Sequence, residues 1–195
     1  MLAANRNFSP LRNYGAIVVF GLLLWLIPAP AGATVMHYAD VARLVETSDK
    51  IVHAVIGEQE VRLKDGKPWT YTTVEVRRTF QGESKEALTI HQWGGSSGEL
   101  TGSIPGDARL EEGREVVLFL RRNPEHSGYA LTALSQAVFE VYDEGSLRLV
   151  RRDLQDLAFV VRQDDGVHLA DHREPAHEWS AFVDVLEALV ETAVE

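Results

Sequence analysis

The spacing of hydrophobic residues changes along the chain and separates two helical segments from a long β-rich region. An N-terminal set recurs at helical spacing, at Tyr38, Val41, Leu44 and Val45. This spacing predicts a short helix over residues 38–47. A second helical stripe near the end of the chain consists of Trp179, Phe182, Val183, Leu186, Leu189 and Val190. It predicts an amphipathic helix over residues 176–192, with Pro175 just before it, where a missing N–H costs nothing.

Between the two helical segments, the hydrophobic residues follow the patterns of β-strands. Thr72, Val74, Val76 and Phe80, for example, share one face at period two. Five strands are predicted first, over residues 51–56, 69–80, 87–93, 115–121 and 129–134. Two shorter strand pairs follow, 137–142 with 146–151 and 157–162 with 167–169. Segments rich in glycine, aspartate and proline separate these strands, as turns require.

Residues 94–110 break the strand pattern. The stretch holds five glycines, one proline and two adjacent serines. Such a composition predicts the longest irregular loop of the chain.

Together these elements predict a mainly β fold. Five short strands joined by glycine-rich turns favour a small five-stranded OB-like β-barrel over residues 34–136, since closing a sheet removes its exposed edges. Residues 137–195 are predicted to add a β-hairpin extension and the C-terminal helix, packed on the same domain.

The first 33 residues have the order of a secretory signal. Arg6 and Arg12 precede an apolar run that is followed by prolines and by the small residues Ala31-Gly32-Ala33. Basic, apolar and small segments in this order predict a cleavable signal peptide over residues 1–33. An uncleaved anchor is the alternative, although the run is short of the roughly 20 residues that span a bilayer.

The charge and the cysteine content restrict the partners, the compartment and the source of stability that we expect. The formal charge of the chain is −10, and removing the two arginines of residues 1–33 leaves −12. A strongly acidic domain repels nucleic acid and anionic lipid, so no nucleic-acid partner is expected, and membrane contact is expected only through the signal segment. The chain has no cysteine, hence no disulfide framework. We therefore expect an exported protein that is periplasmic or secreted and is stabilised by packing.

A resemblance to a known group of domains supports the barrel. The stretch Ser48–Leu120 resembles a domain of exported, mostly uncharacterised bacterial proteins, and it is similar to the netrin-like domains, which include the metalloprotease-inhibitor fold. The residues that carry the resemblance are SDKIVHAVIGEQEV, YTTVEVRRTFQG, Gly94-Gly95 and EEGREVVLFL. The resemblance implies a five-stranded OB-type barrel. Inhibitors of that fold chelate zinc through an N-terminal cysteine, which this chain lacks, and no catalytic residue is implied.

One segment formally matches a catalytic motif. Residues 94–98, Gly-Gly-Ser-Ser-Gly, fit the G-x-S-x-G pattern after a predicted strand. A nucleophile elbow also needs a helix directly afterwards, and the glycines and proline that follow predict a loop instead. Ser96 and His91 therefore enter only an alternative hypothesis, an exported hydrolase or metal-dependent enzyme.

Three histidines near the C-terminus raise the question of a metal site. His168, His172 and His177 lie among several acidic residues. Zinc needs three or four converging ligands, and Pro175 interrupts the segment before His177. A polar connector into the last helix is the favoured interpretation, and a metal site stays as the alternative.

Two tryptophans at predicted strand ends indicate where a partner would bind. Trp69 and Trp93 flank loops, where aromatic side chains form binding rims or anchor a barrel end. With Gly94, Gly95, Ser96 and Ser97 they form the predicted contact surface.

No cofactor fingerprint appears, and no set of nucleophile, base and orienting residue is recognisable. The leading hypothesis is a non-enzymatic module that binds a protein of the cell envelope or medium; the alternatives are the enzyme above and a protease-inhibitor-like module.

Overall fold

A computed structural model describes residues 34–124, 127–155, 157–163, 166–170 and 173–194. The predicted signal peptide lies outside the described residues. From Ala33 to Glu195 the chain forms one compact unit. Within the described ranges, no helix is long and apolar enough to cross a membrane.

The described residues form a mainly β fold, as the sequence predicts, and include two α-helices. The helices are α1 (Val41–Thr47) and α2 (Trp179–Val194), and Leu134–Ala137 forms a 3-10 helix. The strands are β1 (Thr34–Met36), β2 (Lys50–Lys64), β3 (Lys67–Gln81), β4 (Ala87–Trp93), β5 (Gly95–Ser97), β6 (Leu100–Gly102), β7 (Glu115–Arg122), β8 (Tyr129–Leu131), β9 (Val138–Glu144), β10 (Leu147–Arg151), β11 (Leu157–Gln163), β12 (Gly166–Ala170) and β13 (His177–Glu178).

Eight strands belong to one large sheet in the order β13-β10-β9-β7-β2-β3-β4-β8. Strand β8 pairs in parallel with β4 and antiparallel with β7, while β7 also pairs with β2. The pairings therefore run from β2 through β3, β4, β8 and β7 back to β2. Strands β5 and β6 form a separate two-stranded sheet, and β1, β11 and β12 form a third.

The buried hydrophobic residues of the main core lie on both faces of the large sheet. Ile56 is opposite Val74, and Val74 is in turn opposite Leu88, so their side chains share one face of the sheet. All three residues are buried. On the other face, the ring of Phe139 lies 5.5 Å from that of Phe119 and 5.1 Å from that of Phe182 in α2. Helix α2 thus packs on this second face of the sheet.

A buried ion pair ties the N-terminal segment to the domain. The Arg152 side chain is fully buried, and its Nε donates to Glu174 at 2.6 Å while Nη1 donates to the carbonyl of Ala39 at 2.7 Å. The guanidinium lies between two rings, 4.9 Å from Tyr38 and 5.1 Å from Phe139. Burial, and a hydrogen bond to Glu174, raise the pKa of the Tyr38 hydroxyl.

Several element boundaries differ from the sequence prediction. Helix α1 begins at Val41 because the Asp40 side chain caps it, accepting from the Arg43 N–H at 2.8 Å. Helix α2 begins later than predicted, because His177 and Glu178 pair with β10.

The strand that was predicted over residues 51–56 is longer in the structure, where β2 runs from Lys50 to Lys64. A register shift between Ile56 and Gln59 lets the polar residues of β2 continue the ladder with β3. The hairpin turns at Asp65 and Gly66, where both φ angles are positive (51° and 72°), as a type I′ turn requires.

Candidate functional site

The two tryptophans of the predicted contact surface are cross-strand partners. Trp69 of β3 is paired directly with Trp93 of β4, so the two side chains lie on the same face of the sheet. Both are half-buried.

A second aromatic pair lies beside the first on that face. Tyr71 is paired with His91, and their ring centroids are 4.8 Å apart. The Arg62 guanidinium lies 5.0 Å from the Tyr71 ring centroid. The sequence analysis missed Tyr71 and Arg62. The sequence signal for Tyr71 was its period-two spacing from Trp69, which puts both side chains on one face. Arg62 had no such signal, because only the register of β2 on β3 places it beside these rings.

The same face becomes basic towards the hairpin turn. Lys64 is paired with Lys67 and Arg62 with Trp69. Alternate residues of a strand share a face, so Lys64 and Arg62 lie on the face that carries the tryptophans. Two acids lie nearby: Glu60, which is paired with Tyr71, forms an ion pair with Arg62, and Asp65 lies in the turn between Lys64 and Lys67.

Residues 94–102 fold into a two-stranded ribbon, β5–β6, rather than the fully irregular loop that was predicted. Gly94 and Gly95 have φ angles of 121° and 112°, a region that favours glycine. A Cβ atom on Gly94 would lie 2.7 Å from the Gly102 carbonyl oxygen. On Gly95 it would lie 2.7 Å from the Thr70 Oγ1 atom and 2.9 Å from a methyl carbon of Val61. Only glycines therefore allow the ribbon to lie this close to the β2–β3 hairpin.

The serines of the predicted surface belong to the same ribbon. Ser96 is exposed, and its hydroxyl lies 3.1 Å from that of Thr101 on β6. Ser97 is half-buried and pairs with Leu100. Gly94 and Gly95 thus shape the ribbon, and Ser96 is the member of the set that it presents to solvent.

Exposed apolar side chains occur in the ribbon, just after it and on the β2–β3 hairpin that the ribbon contacts. Leu63 near the hairpin turn, Leu100 in β6 and Ile104 just after it are exposed by 52%, 48% and 36%. They are three of the seven large hydrophobic residues that are exposed within the described ranges; the others are Val35, Tyr38, Leu147 and Val185.

The alternative catalytic residues have different neighbours. Ser96 bonds with Thr101, whereas His91 is buried against the Tyr71 ring. Gly128 also lies close to His91, since a Cβ on Gly128 would be 2.8 Å from His91 Nε2.

The three C-terminal histidines occupy different places. His168 is in β12, paired with Val161 of β11, whereas His177 is exposed in β13 and paired with Val150 of β10. His172 lies outside the described residues. Across the ranges that the structure describes, no three histidine, aspartate or glutamate side chains are grouped to hold a metal ion.

A cluster of titratable side chains around His53 was not predicted from the sequence. His53 Nε2 and Glu115 Oε1 are 2.5 Å apart, and Glu115 also pairs with Arg148. The Trp179 ring at the start of α2 contacts the His53 ring (4.7 Å between centroids) and lies 5.6 Å from the Arg148 guanidinium. Burial of the imidazole lowers the pKa of His53, against an opposing effect of Glu115. Because the imidazole lies beneath α2, this cluster joins the helix to the sheet.

A crevice of about 310 Å³ lies outside the buried ion pair of Arg152 and Glu174. Acidic and basic side chains line it in equal number: Glu140, Asp153 and Glu174 with Arg151, Arg152 and Arg173. Arg151 already pairs with Glu140 and stacks on Tyr142. The crevice therefore offers no excess of either charge to a ligand.

A comparison with protein families finds no family model that matches this chain, and a comparison with curated proteins finds no sequence match.

Proposed function

We propose that this chain is an exported, non-enzymatic binding module of the cell envelope or extracellular space, built on a five-stranded OB-type barrel. Export is supported by the basic, apolar and small segments of residues 1–33. The barrel is supported by the pairings that lead from β2 back to β2, including the parallel pair β4–β8.

The contact surface that we propose is the ribbon surface, defined as β5–β6 with Leu63, Leu100 and Ile104. The observation that carries the proposal is that three of the seven exposed large hydrophobic residues in the described ranges lie on the ribbon, just after it or on the hairpin that it contacts. Monomeric proteins seldom expose such groups together unless the surface binds something. The partner is therefore a protein with a complementary apolar patch.

The ribbon is an ordered element rather than an irregular loop, because β5 and β6 pair along three residues each. A side chain at Gly94 would meet the Gly102 carbonyl, and one at Gly95 would meet the β2–β3 hairpin. A surface ordered before binding loses little conformational entropy when the partner arrives. The strand pairing therefore supports binding at the ribbon.

The test compares two triple variants, each of which replaces three exposed apolar residues by glutamate. The site variant carries Leu63→Glu, Leu100→Glu and Ile104→Glu; the control carries Val35→Glu, Leu147→Glu and Val185→Glu, which also change exposed apolar residues. Tagged proteins, checked for folding by circular dichroism, are used to capture partners from the native envelope and medium, and affinities for a purified partner are measured by calorimetry.

We expect the site variant to lose a partner that the wild-type protein and the control retain, with an affinity lower by at least about a hundredfold, as expected when two or more central apolar contacts are lost. Equal retention by both variants, or equal loss, contradicts the ribbon surface. A captured protease that the protein inhibits would favour the inhibitor-like alternative over a simple binding module.

A further inference from the structure

The first described residues of the chain form an extended segment at the surface of the domain. We define this segment, residues 34–39, as the N-terminal strap. Its first three residues are β1, which pairs in parallel with residues 157–159 of β11. Val35 and Tyr38 are exposed by 52% and 38%, so the outer side of the strap faces solvent. The strap thus lies as an outer layer on the domain.

Buried polar side chains hold the strap by its main chain. Gln136 is 1% exposed, and it accepts a hydrogen bond from the Ala39 N–H at 2.8 Å while donating to the His37 carbonyl at 3.1 Å. The fully buried Arg152 side chain donates to the Ala39 carbonyl at 2.7 Å. Together with the pairing to β11, these bonds satisfy main-chain groups in the way that a domain binds an added peptide strand.

Two side chains of the strap also contact the domain. Met36 packs against a small buried cluster, which consists of Leu154, Leu157 and Phe159. The Tyr38 hydroxyl donates to Glu174. The Tyr38 ring lies edge-on to the Phe159 ring at 5.7 Å and 4.9 Å from the Arg152 guanidinium. Without the strap these apolar groups would face solvent, so the place that the strap fills requires an occupant.

The residues that hold the strap are far from it in the sequence. We define them as the strap groove: Gln136, Arg152, Leu154, residues 157–159 and Glu174. Each is at least 97 positions away from the strap. The link from the strap to α1 is Asp40, whose backbone is extended (φ −71°, ψ 173°). An identical strap from another molecule can therefore make the same contacts, as in strand exchange between copies.

We propose that the strap groove is a peptide-binding site that exchanges its own strap for the strap of a second copy of this chain. The second copy matches the groove throughout, because it brings the same methionine to the apolar cluster and the same tyrosine to Glu174. In the closed monomer the chain's own strap fills the groove and competes at a high effective concentration. Exchange therefore increases when the own strap is weakened or the protein is concentrated. The groove shares no residue with the ribbon surface, and the proposal does not depend on a partner of the ribbon.

The first measurement is the binding of a labelled peptide, with the sequence of residues 34–40, to the compact unit from Ala33 to Glu195. Fluorescence anisotropy follows the binding. In the protein, Tyr38→Ala weakens the own strap, and Val35→Ala is the control, because the Val35 side chain is on the solvent side. We expect the Tyr38→Ala protein to bind the peptide at least about tenfold more tightly than the wild-type protein and the control, since its groove is open more often.

A second variant guards against misfolding of the first. Ala39→Pro removes the N–H that donates to Gln136, and it should also increase the affinity for the peptide. Circular dichroism checks the fold of each protein. To this variant a peptide with Tyr38→Ala should bind about tenfold more weakly than the natural peptide, through the loss of the ring and hydroxyl contacts. A peptide with Val35→Ala should bind within about threefold of the natural one.

Exchange between copies is measured by sedimentation of the wild-type unit after refolding from urea at about 1 mM protein. We expect a dimer, which an excess of the peptide converts to monomer. The ribbon triple variant should form the dimer to the same extent. Its failure to capture a protein would therefore contradict the ribbon surface and leave the strap groove standing.

Three results overturn the proposal. The first is that neither strap variant binds the peptide at up to about 1 mM. The second is equal affinity for the natural peptide and the peptide with Tyr38→Ala. The third is a protein that stays monomeric after refolding at high concentration.

Discussion

At the scale of single residues, this fold depends on a few side chains whose neighbours allow little change. Arg152 is buried between two rings and bonded to Glu174, and Gly95 lies against Thr70 and Val61. Neither role is visible in the local sequence, because Arg152 follows another arginine and Gly95 follows another glycine.

We expect Arg152→Ala to lower the free energy of unfolding by about 3–5 kcal/mol, because Glu174 would keep a charge in a largely buried place without its partner. The matched control is Arg151→Ala, which removes an exposed arginine and should cost less than about 1 kcal/mol. Urea denaturation of both variants measures the difference. Similar midpoints for the two would contradict a structural role of the buried pair.

Gly95→Ala should lower the free energy of unfolding by about 2–4 kcal/mol, because the new methyl group meets Thr70 and Val61 at a positive φ angle. Gly98→Ala is the control: Gly98 also has a positive φ angle, but no atom lies within 4 Å of the added Cβ. It should cost about 1–2 kcal/mol, for the backbone strain alone. Thermal unfolding of the two variants tests this, and a Gly98 variant as unstable as the Gly95 variant would rule out the steric cause.

At the scale of elements, packing between distant segments decides where helices and strands begin and end. Strand β2 runs past its apolar half because the register shift keeps it paired with β3. Helix α2 is held on the sheet by Phe182 and Leu186, and at its first turn by Trp179 above His53 and Arg148.

The contact between α2 and the sheet is predicted to depend on pH through His53. Its surroundings are Glu115 from β7, Arg148 from β10, Arg77 from β3 and the Trp179 ring from α2. Burial lowers the pKa of His53 in the folded state below the ordinary value of 6.5. As pH falls from 6.5 towards that lower pKa, the unfolded chain binds more protons than the folded one, so stability is lost.

The measurement is the urea midpoint of the wild-type protein and of His53→Gln at about pH 7.5 and about pH 5.5. We expect the wild-type protein to lose more stability than the variant on acidification, since glutamine cannot titrate and the other histidines are common to both proteins. Equal losses would show that His53 does not contribute to the pH dependence.

At the scale of the whole molecule, the compact unit from Ala33 to Glu195 pairs strands that are far apart in the sequence. Strand β1 pairs with β11, and β9 pairs with β7, so residues after 136 take part in the same sheets as earlier ones.

Export makes a prediction for the entire protein. If residues 1–33 are a cleavable signal, protein recovered from the periplasm or medium of its host should begin at Thr34, because small residues occupy the positions that a signal peptidase recognises. N-terminal sequencing and intact-mass measurement test this. Full-length protein in the membrane fraction would instead support the uncleaved anchor.

The sequence by itself determined the elements whose signal is local. Period-two and helical spacing predicted a mainly β chain with two helices, because such patterns depend on residues a few positions apart. The site was predicted only in part: Trp69 and Trp93 were identified singly, while Tyr71, Arg62 and the lysine pair join them through strand register. Register, the ribbon at Gly94–Gly95 and the Arg152–Glu174 pair were decided by the tertiary structure, because each depends on the summed contacts of segments that are far apart in the chain.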